Sequence, residues 1–387
     1  MINFNYSIPT KIFFGKGQIS VLGSQIKKYG SKILLVYGHN SVKKNGLYDK
    51  IVSILKYNDI YYCELPNIDP NPRITSVKKG VDLCKKNSIE LILAIGGGSV
   101  IDCAKAIGAA YYYDGDAWDI VIHPEKITNV LPIASILTIA ATGSEMDQYA
   151  VISNTETCEK LDTYHPDMYP KFSILDPTYT FTVSANQTAA GTADIMSHIL
   201  EIYFHNTKGA YLQDRMAEAL LKTCIKYGKI AIVEPESYEA RANLMWASSL
   251  AINDLLNYGI DSVWSVHPIE HELSAFYDIS HGVGLAILTP YWMEYVLNDN
   301  TVDKFKDYGI NVWGLSADED KFKIAHESIK KTRDYFLSLG LPSSLKEIGI
   351  SDDKFSQIVN KIANNKTVGN FVPLNARDIM TILKNSL

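Results

Sequence analysis

Between Lys32 and Glu145 the chain alternates two kinds of stretch. KILLVYG (32–38), IYYCELP (60–66), LILAIGG (91–97) and the first half of LPIASILTIAATGSE (131–145) are short apolar runs bounded by glycine, proline or polar turns. HNSVKKNGLYDKIVSILKYN, ITSVKKGVDLCKKNSI and GSVIDCAKAIGAAYYY, which lie between them, carry apolar residues at helical spacing. Buried strands that alternate with helices form a parallel sheet with helices on both faces, because a parallel neighbour can be reached only by a long crossover. After about Val183 the alternation stops and the spacing becomes helical to the C-terminus, broken at glycines and prolines. The predicted organisation is an α/β domain over 1–183, with a Rossmann-like parallel sheet, followed by an all-α domain over 184–387. In the second domain, QDRMAEALLKTCIKYGKIAI and ARANLMWASSLAINDLLNYG are long enough to pack together as a bundle.

A chain of 387 residues exceeds one ordinary core, and 47% apolar with 21% charged residues describes a soluble globular protein. A net charge of -6 with scattered Lys and Arg argues against nucleic acid or an anionic membrane as partner. The five cysteines are widely spaced with no CxxC, as in a reducing cytoplasm. The N-terminus does not read as a signal peptide, and no apolar run reaches the ~18 residues of a spanning helix. A cytoplasmic location is the expectation.

Two regions carry chemistry. In GTADIMSH (191–198), Asp194 and His198 are four residues apart on a helical run and so share one face. His267, His271 and His281 fall within fifteen residues in HPIEHELSAFYDISHG. One carboxylate with two or three imidazoles suits a divalent transition metal; the alternative is a buried, satisfied polar network. Spacing alone does not choose between His271 and its neighbours. In the first half, Gly96-Gly97-Gly98-Ser99 ends a strand and opens a helix, where glycine lets backbone approach a pyrophosphate and the helix offers free N–H groups. It is not GxGxxG, and neither it nor Ala141-Thr142-Gly143-Ser144, which could bracket the same ligand, has P-loop spacing. Gly38-His39-Asn40-Ser41 lacks the acidic residue that grips a ribose 2′-hydroxyl. With Lys43 and Lys44 nearby, it favours NADP(H), with NAD(H) as the alternative.

A set of motifs in order resembles the iron-containing (group III) alcohol dehydrogenases, and within them the NADPH-dependent butanol dehydrogenase and aldehyde reductase branch. The marks are FGKG (14–17), YGHNSVKKNG (37–46), PNPR (70–73), GGGSVIDCAKAI (96–107), LTIAATGSEM (137–146), GTADIMSHILE (191–201), QDRMAE (213–218), ARANLMWA (240–247), HPIEHELSAFYDISHG (267–282) and NFVPL (370–374), covering essentially the whole chain. The resemblance implies a dinucleotide-binding domain followed by a helical metal domain, as in dehydroquinate synthase-like architectures. It implies Asp194, His198, His267 and His281 as metal ligands, with His271 beside the nicotinamide. It implies cofactor contacts from Gly38, Ser41, Asn71, Gly97, Gly98, Ser99, Asp102, Thr138, Ile139, Ser144 and Lys160. Fe(II) is the expected ion, with Zn(II) possible in an isolated sample, and a homodimer is the expected assembly. The implied reaction is hydride transfer between NADP(H) and a short- to medium-chain aldehyde or primary alcohol. An NAD-dependent glycerol or diol dehydrogenase, or a non-catalytic metal-binding homologue, are the alternatives. A sugar-phosphate cyclase is disfavoured, since no Lys/Arg cluster accompanies 191–201 or 264–282. Two departures stand out: His39-Asn40 replaces consecutive glycines, and Ala140-Ala141 replaces the more usual glycine or proline.

Overall fold

The computed structural model describes residues 1–364 and 366–387. They form two compact units that do not follow a single cut in the sequence: Ser7–Val183 with Glu236–Ser249, and Met1–Tyr6 with Ser184–Pro235 and Leu250–Leu387.

The first unit is built on strands β1 (Lys11–Phe14), β2 (Lys32–Tyr37), β3 (Tyr61–Leu65), β4 (Leu91–Gly96), β5 (Ile133–Leu137) and β8 (Phe172–Leu175), paired in parallel in the order β1-β8-β5-β4-β2-β3. Helices α1 (Leu22–Ile26), α2 (Ser41–Lys44), α3 (Leu47–Tyr57), α4 (Ile74–Asn87), α5 (Gly98–Ala110) and α6 (Asp119–Ile122) make the connections. Strand periodicity splits the apolar residues between two cores. Leu34, Val36, Ile92 and Ala94 pack with Val77 and Ile101 of α4 and α5; Ile33, Leu35, Leu93 and Ile95 pack with Ile51 and Leu55 of α3. Both faces are therefore covered, as all-parallel sheets require. The chain runs outward from β2 to β3, then crosses back to place β4 on the other side of β2. The strand order thus switches between the tips of β2 and β4, the position at which open α/β sheets take ligands.

Three features of this unit escaped the reading of the sequence. The edge strand β1 and the strand β8 lie outside the alternating region. Between them, β6 (Tyr149–Asn154) and β7 (Glu159–Tyr164) form an antiparallel hairpin of their own. Most of ARANLMWASSLAI, expected in the helical bundle, belongs instead with the sheet unit: Met245 is part of its core, Trp246 meets Phe14 edge-on at 5.8 Å, and the Ser249 hydroxyl donates to Glu145. Apolar spacing defines a helix but not its partner.

The second unit is helical: α7 (Ala185–Tyr203), α8 (Tyr211–Val233), the end of α9 (Tyr238–Ile252), α10 (Val266–Tyr277), α11 (His281–Val296), α12 (Val302–Asn311), α13 (Lys321–Ser338), α14 (Phe355–Ala363) and α15 (Ala376–Asn385). Helix α7 is the most enclosed, buried at nearly every position from Thr188 to Tyr203, with α8 and α11 packed against it. Among the described residues no helix is long and apolar enough to cross a membrane.

Candidate active site

Helix α7 starts from Ser184, whose hydroxyl caps the Gln187 N–H, and runs unbroken past Asp194, His198 and Glu201. These stand at i, i+4 and i+7 and so line one face. Helix α10 contributes His267 in its first turn. At the end of α10, Asp278 takes the left-handed conformation (φ 49) that stops the helix, and α11 begins at His281 only three residues later. The turn therefore brings His281 back toward α7. Close approach needs Gly282, since a Cβ there would overlap the carbonyl oxygen of Ala190, one turn before Asp194.

The result is a cluster in which Asp194, His198, His267 and His281 each offer one ligand atom within 4.8 Å of the others. Asp194 Oδ1 lies 3.6 Å from His198 Nε2 and 3.7 Å from His281 Nε2. These are long for hydrogen bonds, but close to the ~3.4 Å between two ligands each ~2.1 Å from a tetrahedral ion. His267 Nε2 is buried and has no hydrogen-bond partner among the described residues. An imidazole nitrogen left dry and unpartnered costs free energy that metal coordination recovers. Burial, with the neighbouring His267, His281 and His271 adding to it, holds the His198 imidazole well below its ordinary value, hence neutral and able to donate a lone pair. The residues fit a borderline divalent ion.

His271, also on α10, lies outside this foursome and groups instead with Glu270 and His281. Its ring is 5.3 Å from that of His281 and 6.2 Å from that of His267. Half-buried Trp264 lies against the His267 and His198 rings at 4.5 and 5.5 Å, giving the cluster an apolar wall. Two further carboxylates were not singled out from the sequence. Buried Glu201 meets His267, and buried Glu270 meets His281. A glutamate among apolar residues of a helix reads as a surface charge until its partner in space is known; the i+7 spacing of Glu201 from Asp194 was the available signal.

In the sheet unit, Gly97 and Gly98 form the turn from β4 into α5. A Cβ at Gly97 would run into Ile139, and one at Gly98 into Thr142, so the two expected walls of the nucleotide site are in contact. The Thr138 N–H donates to the Gly96 carbonyl (3.0 Å), tying the walls at their base. Ser99 follows in the first turn of α5. Gly38 lies at the tip of β2, and its Cβ would sit 3.9 Å from Val100 of α5. Ser41 opens α2 and is exposed, while Asn71, at φ 54, is half-buried in the loop after β3. Lys160 is buried on β7, opposite Ser153. Asp102 has donors on both oxygens, from the Ser144 hydroxyl (2.6 Å) and the Val151 N–H (3.0 Å), so it braces the second glycine turn from behind. The fully buried Lys105 joins it, donating to Ser144 Oγ, Asp147 Oδ1 and the Tyr149 carbonyl at 2.9, 2.7 and 2.8 Å. Around that ammonium, burial pushes the Asp102 carboxyl up to about 6 and Glu145 up to about 7.

The description "Iron-containing alcohol dehydrogenase" matches residues 9–177, and "Fe-containing alcohol dehydrogenase family, C-terminal" matches 188–387. The chain belongs to the iron-containing alcohol dehydrogenase family. Like other iron-containing alcohol dehydrogenases it is an oxidoreductase. It is 63% identical to NADH-dependent butanol dehydrogenase A of Clostridium acetobutylicum, over 100% of both chains. It is 37% identical to the NADPH-dependent aldehyde reductase YqhD of Escherichia coli, over 94% of this chain and 93% of that one. The crystal structure of NADH-dependent butanol dehydrogenase A from Thermotoga maritima superposes with a TM-score of 0.95 at 38% identity, covering 99% of this chain and 98% of that chain.

Proposed function

We propose that this iron-containing alcohol dehydrogenase interconverts short-chain aldehydes and primary alcohols, with butanal and butanol as representatives, using NAD(H) and one divalent ion, Fe(II) or Zn(II). The observation that carries the reading is Asp194 Oδ1 flanked at 3.6 and 3.7 Å by two imidazole nitrogens, with His267, whose Nε2 has no hydrogen-bond partner among the described residues, in the same cluster. Asp194, His198, His267 and His281 would hold the ion. When bound, the ion supplies Lewis acidity toward a carbonyl oxygen and the dinucleotide supplies or accepts hydride. Trp264 excludes water from one side of the cluster and offers an apolar surface to an alkyl chain. His271 stands beside the ligand set with an imidazole suited to holding a proton near the alcohol oxygen.

NAD(H) is preferred here over the NADP(H) expected from the loop composition. The Lys43 ammonium lies over the Tyr37 and Tyr48 rings at 5.2 and 4.8 Å, and both tyrosine hydroxyls donate to Glu64. The cation counted toward a 2′-phosphate thus has its own site. His39 in turn pairs with Asp69 at 3.3 Å, which sets a carboxylate beside the loop, where it disfavours a further phosphate. The NADH-dependent relative at 63% identity supports the same choice.

Initial rates on metal-analysed protein, with butanal and with glycerol, test this reading against NADH and NADPH in turn. A higher kcat/KM for butanal reduction with NADH is expected. Equal or better rates with NADPH would overturn the cofactor assignment. His267→Ala or His281→Ala should remove turnover and bound metal together; a variant that keeps both would refute the ligand set.

A further inference from the structure

Glu201 and Glu270 are held in one arrangement twice over. Both are buried, at 4% and 0% exposure, and each faces the Nδ1 of a histidine of the metal cluster, the Nε2 of His281 lying 3.7 Å from Asp194 Oδ1 and that of His267 having no hydrogen-bond partner among the described residues. Glu201 Oε1 is 3.2 Å from His267 Nδ1 and accepts the N–H groups of Val266 (2.7 Å) and His267 (2.8 Å); its Oε2 accepts the N–H of Ser265 (2.8 Å). Glu270 Oε2 meets His281 Nδ1, and its Oε1 accepts the Ser274 hydroxyl. In both cases the carboxylate is the acceptor of the donors around it, and the ring nitrogen that meets it is the one that carries the hydrogen, Nδ1. The lone pair is then on Nε2.

We infer that Glu201 and Glu270 are positioning residues for the metal centre, each fixing the tautomer and ring orientation of one histidine. The inference rests on the metal reading proposed above and extends it to two residues outside the ligand set. The two carboxylates differ in one respect. Glu270 meets the imidazole with one oxygen and Ser274 with the other. Glu201 also accepts the first free N–H groups of α10, so it holds His267 by its backbone and its ring together. Helix α7 therefore carries two ligands and one brace on the same face.

The test uses the full-length protein stripped of metal and titrated with Zn(II) or Co(II) alone against a chromophoric chelator. Glu270→Gln and Glu201→Gln keep size and remove the charged acceptor. Each should weaken metal binding by about 10–100-fold, the usual consequence of losing such a partner. The Co(II) ligand-field bands should shift, while the NADH dissociation constant stays unchanged. A purely structural role would lower the melting temperature of the metal-free protein without moving the Co(II) bands of the loaded fraction. If Glu201→Gln fails to fold because α10 loses its start, Glu270→Gln and Ser274→Ala decide, with Ser274→Ala expected to weaken binding by a few-fold. Tight metal binding by the parent and both Gln variants, with identical Co(II) spectra, would overturn the inference while leaving the ligand set standing. A parent chain that binds neither ion would overturn the metal reading itself.

Discussion

Glu145 sits in an environment at odds with its charge. It is fully buried in the sheet unit; Ser249 donates to one oxygen, and the other has no hydrogen-bond partner among the described residues. Burial raises its carboxyl from 4.5 to about 7. A carboxyl with a raised value in the fold binds its proton more tightly there than in the unfolded chain. Its contribution is therefore most favourable below 4.5, is lost as pH rises through about 7, and is constant above that. The neutral variant Glu145→Gln should consequently gain stability relative to the parent between about pH 5 and about pH 8, read as the difference between two urea-denaturation series. A difference that is flat with pH would mean that Glu145 is solvated in solution. At the same scale, Asp69→Asn removes the carboxylate that pairs with His39 and should raise kcat/KM with NADPH relative to NADH. That Asp194 and His198 share a face was legible because their spacing is a property of one helix. Spacing alone left His271 and His281 open and only the family resemblance separated them; the turn at Asp278 is what groups His281 with Asp194, and Glu201, Glu270 and Asp69 became visible only when their partners in space were known.

At the scale of elements, the contact of α11 with α7 decides where His281 sits. Gly282→Val would press a branched side chain into the Ala190 carbonyl and force the start of α11 away from Asp194. The expected cost is about 1–3 kcal/mol from overpacking, with metal content falling below one ion per chain; denaturation and metal analysis read the two effects separately. Full metal content in Gly282→Val would show that α11 can slide without moving His281. The alternating strands and helices from Lys32 to Leu137 were legible because each buried run, Leu91–Gly96 above all, has one reading in a parallel sheet. The segment containing Met245 and Trp246 was assigned to the wrong partner for the reason given by its own pattern: an apolar helix suits either core. The β6–β7 hairpin was missed because its second strand, EKLDTY, buries a lysine and a threonine and is too polar to read as a strand of the core.

For the molecule as a whole, a divalent ion that binds the folded helical unit alone stabilises that unit by an amount that grows with the logarithm of its affinity. At an ion concentration 100 times the dissociation constant the gain is about 2.7 kcal/mol. Chelation should therefore lower the melting midpoint, and it should speed amide exchange in peptides covering 191–201 and 264–282. Unchanged exchange there on chelation would mean that the cluster is organised without an ion. The division into two units was readable as a change of period near Val183. The return of Glu236–Ser249 to the sheet was not, because it depends on one long connection folding back.

The eight residues from Asp194 to Glu201 also bear on how the gene can vary. Each added or deleted residue in that span would swing everything beyond it by about 100° around the axis of α7, parting carboxylate from imidazole or imidazole from brace. Substitutions along the opposite side of this segment meet a packed core and are limited to side chains of similar volume, while its length is frozen outright. Comparison of natural variants should find indels in the surface turns and none between these two acids.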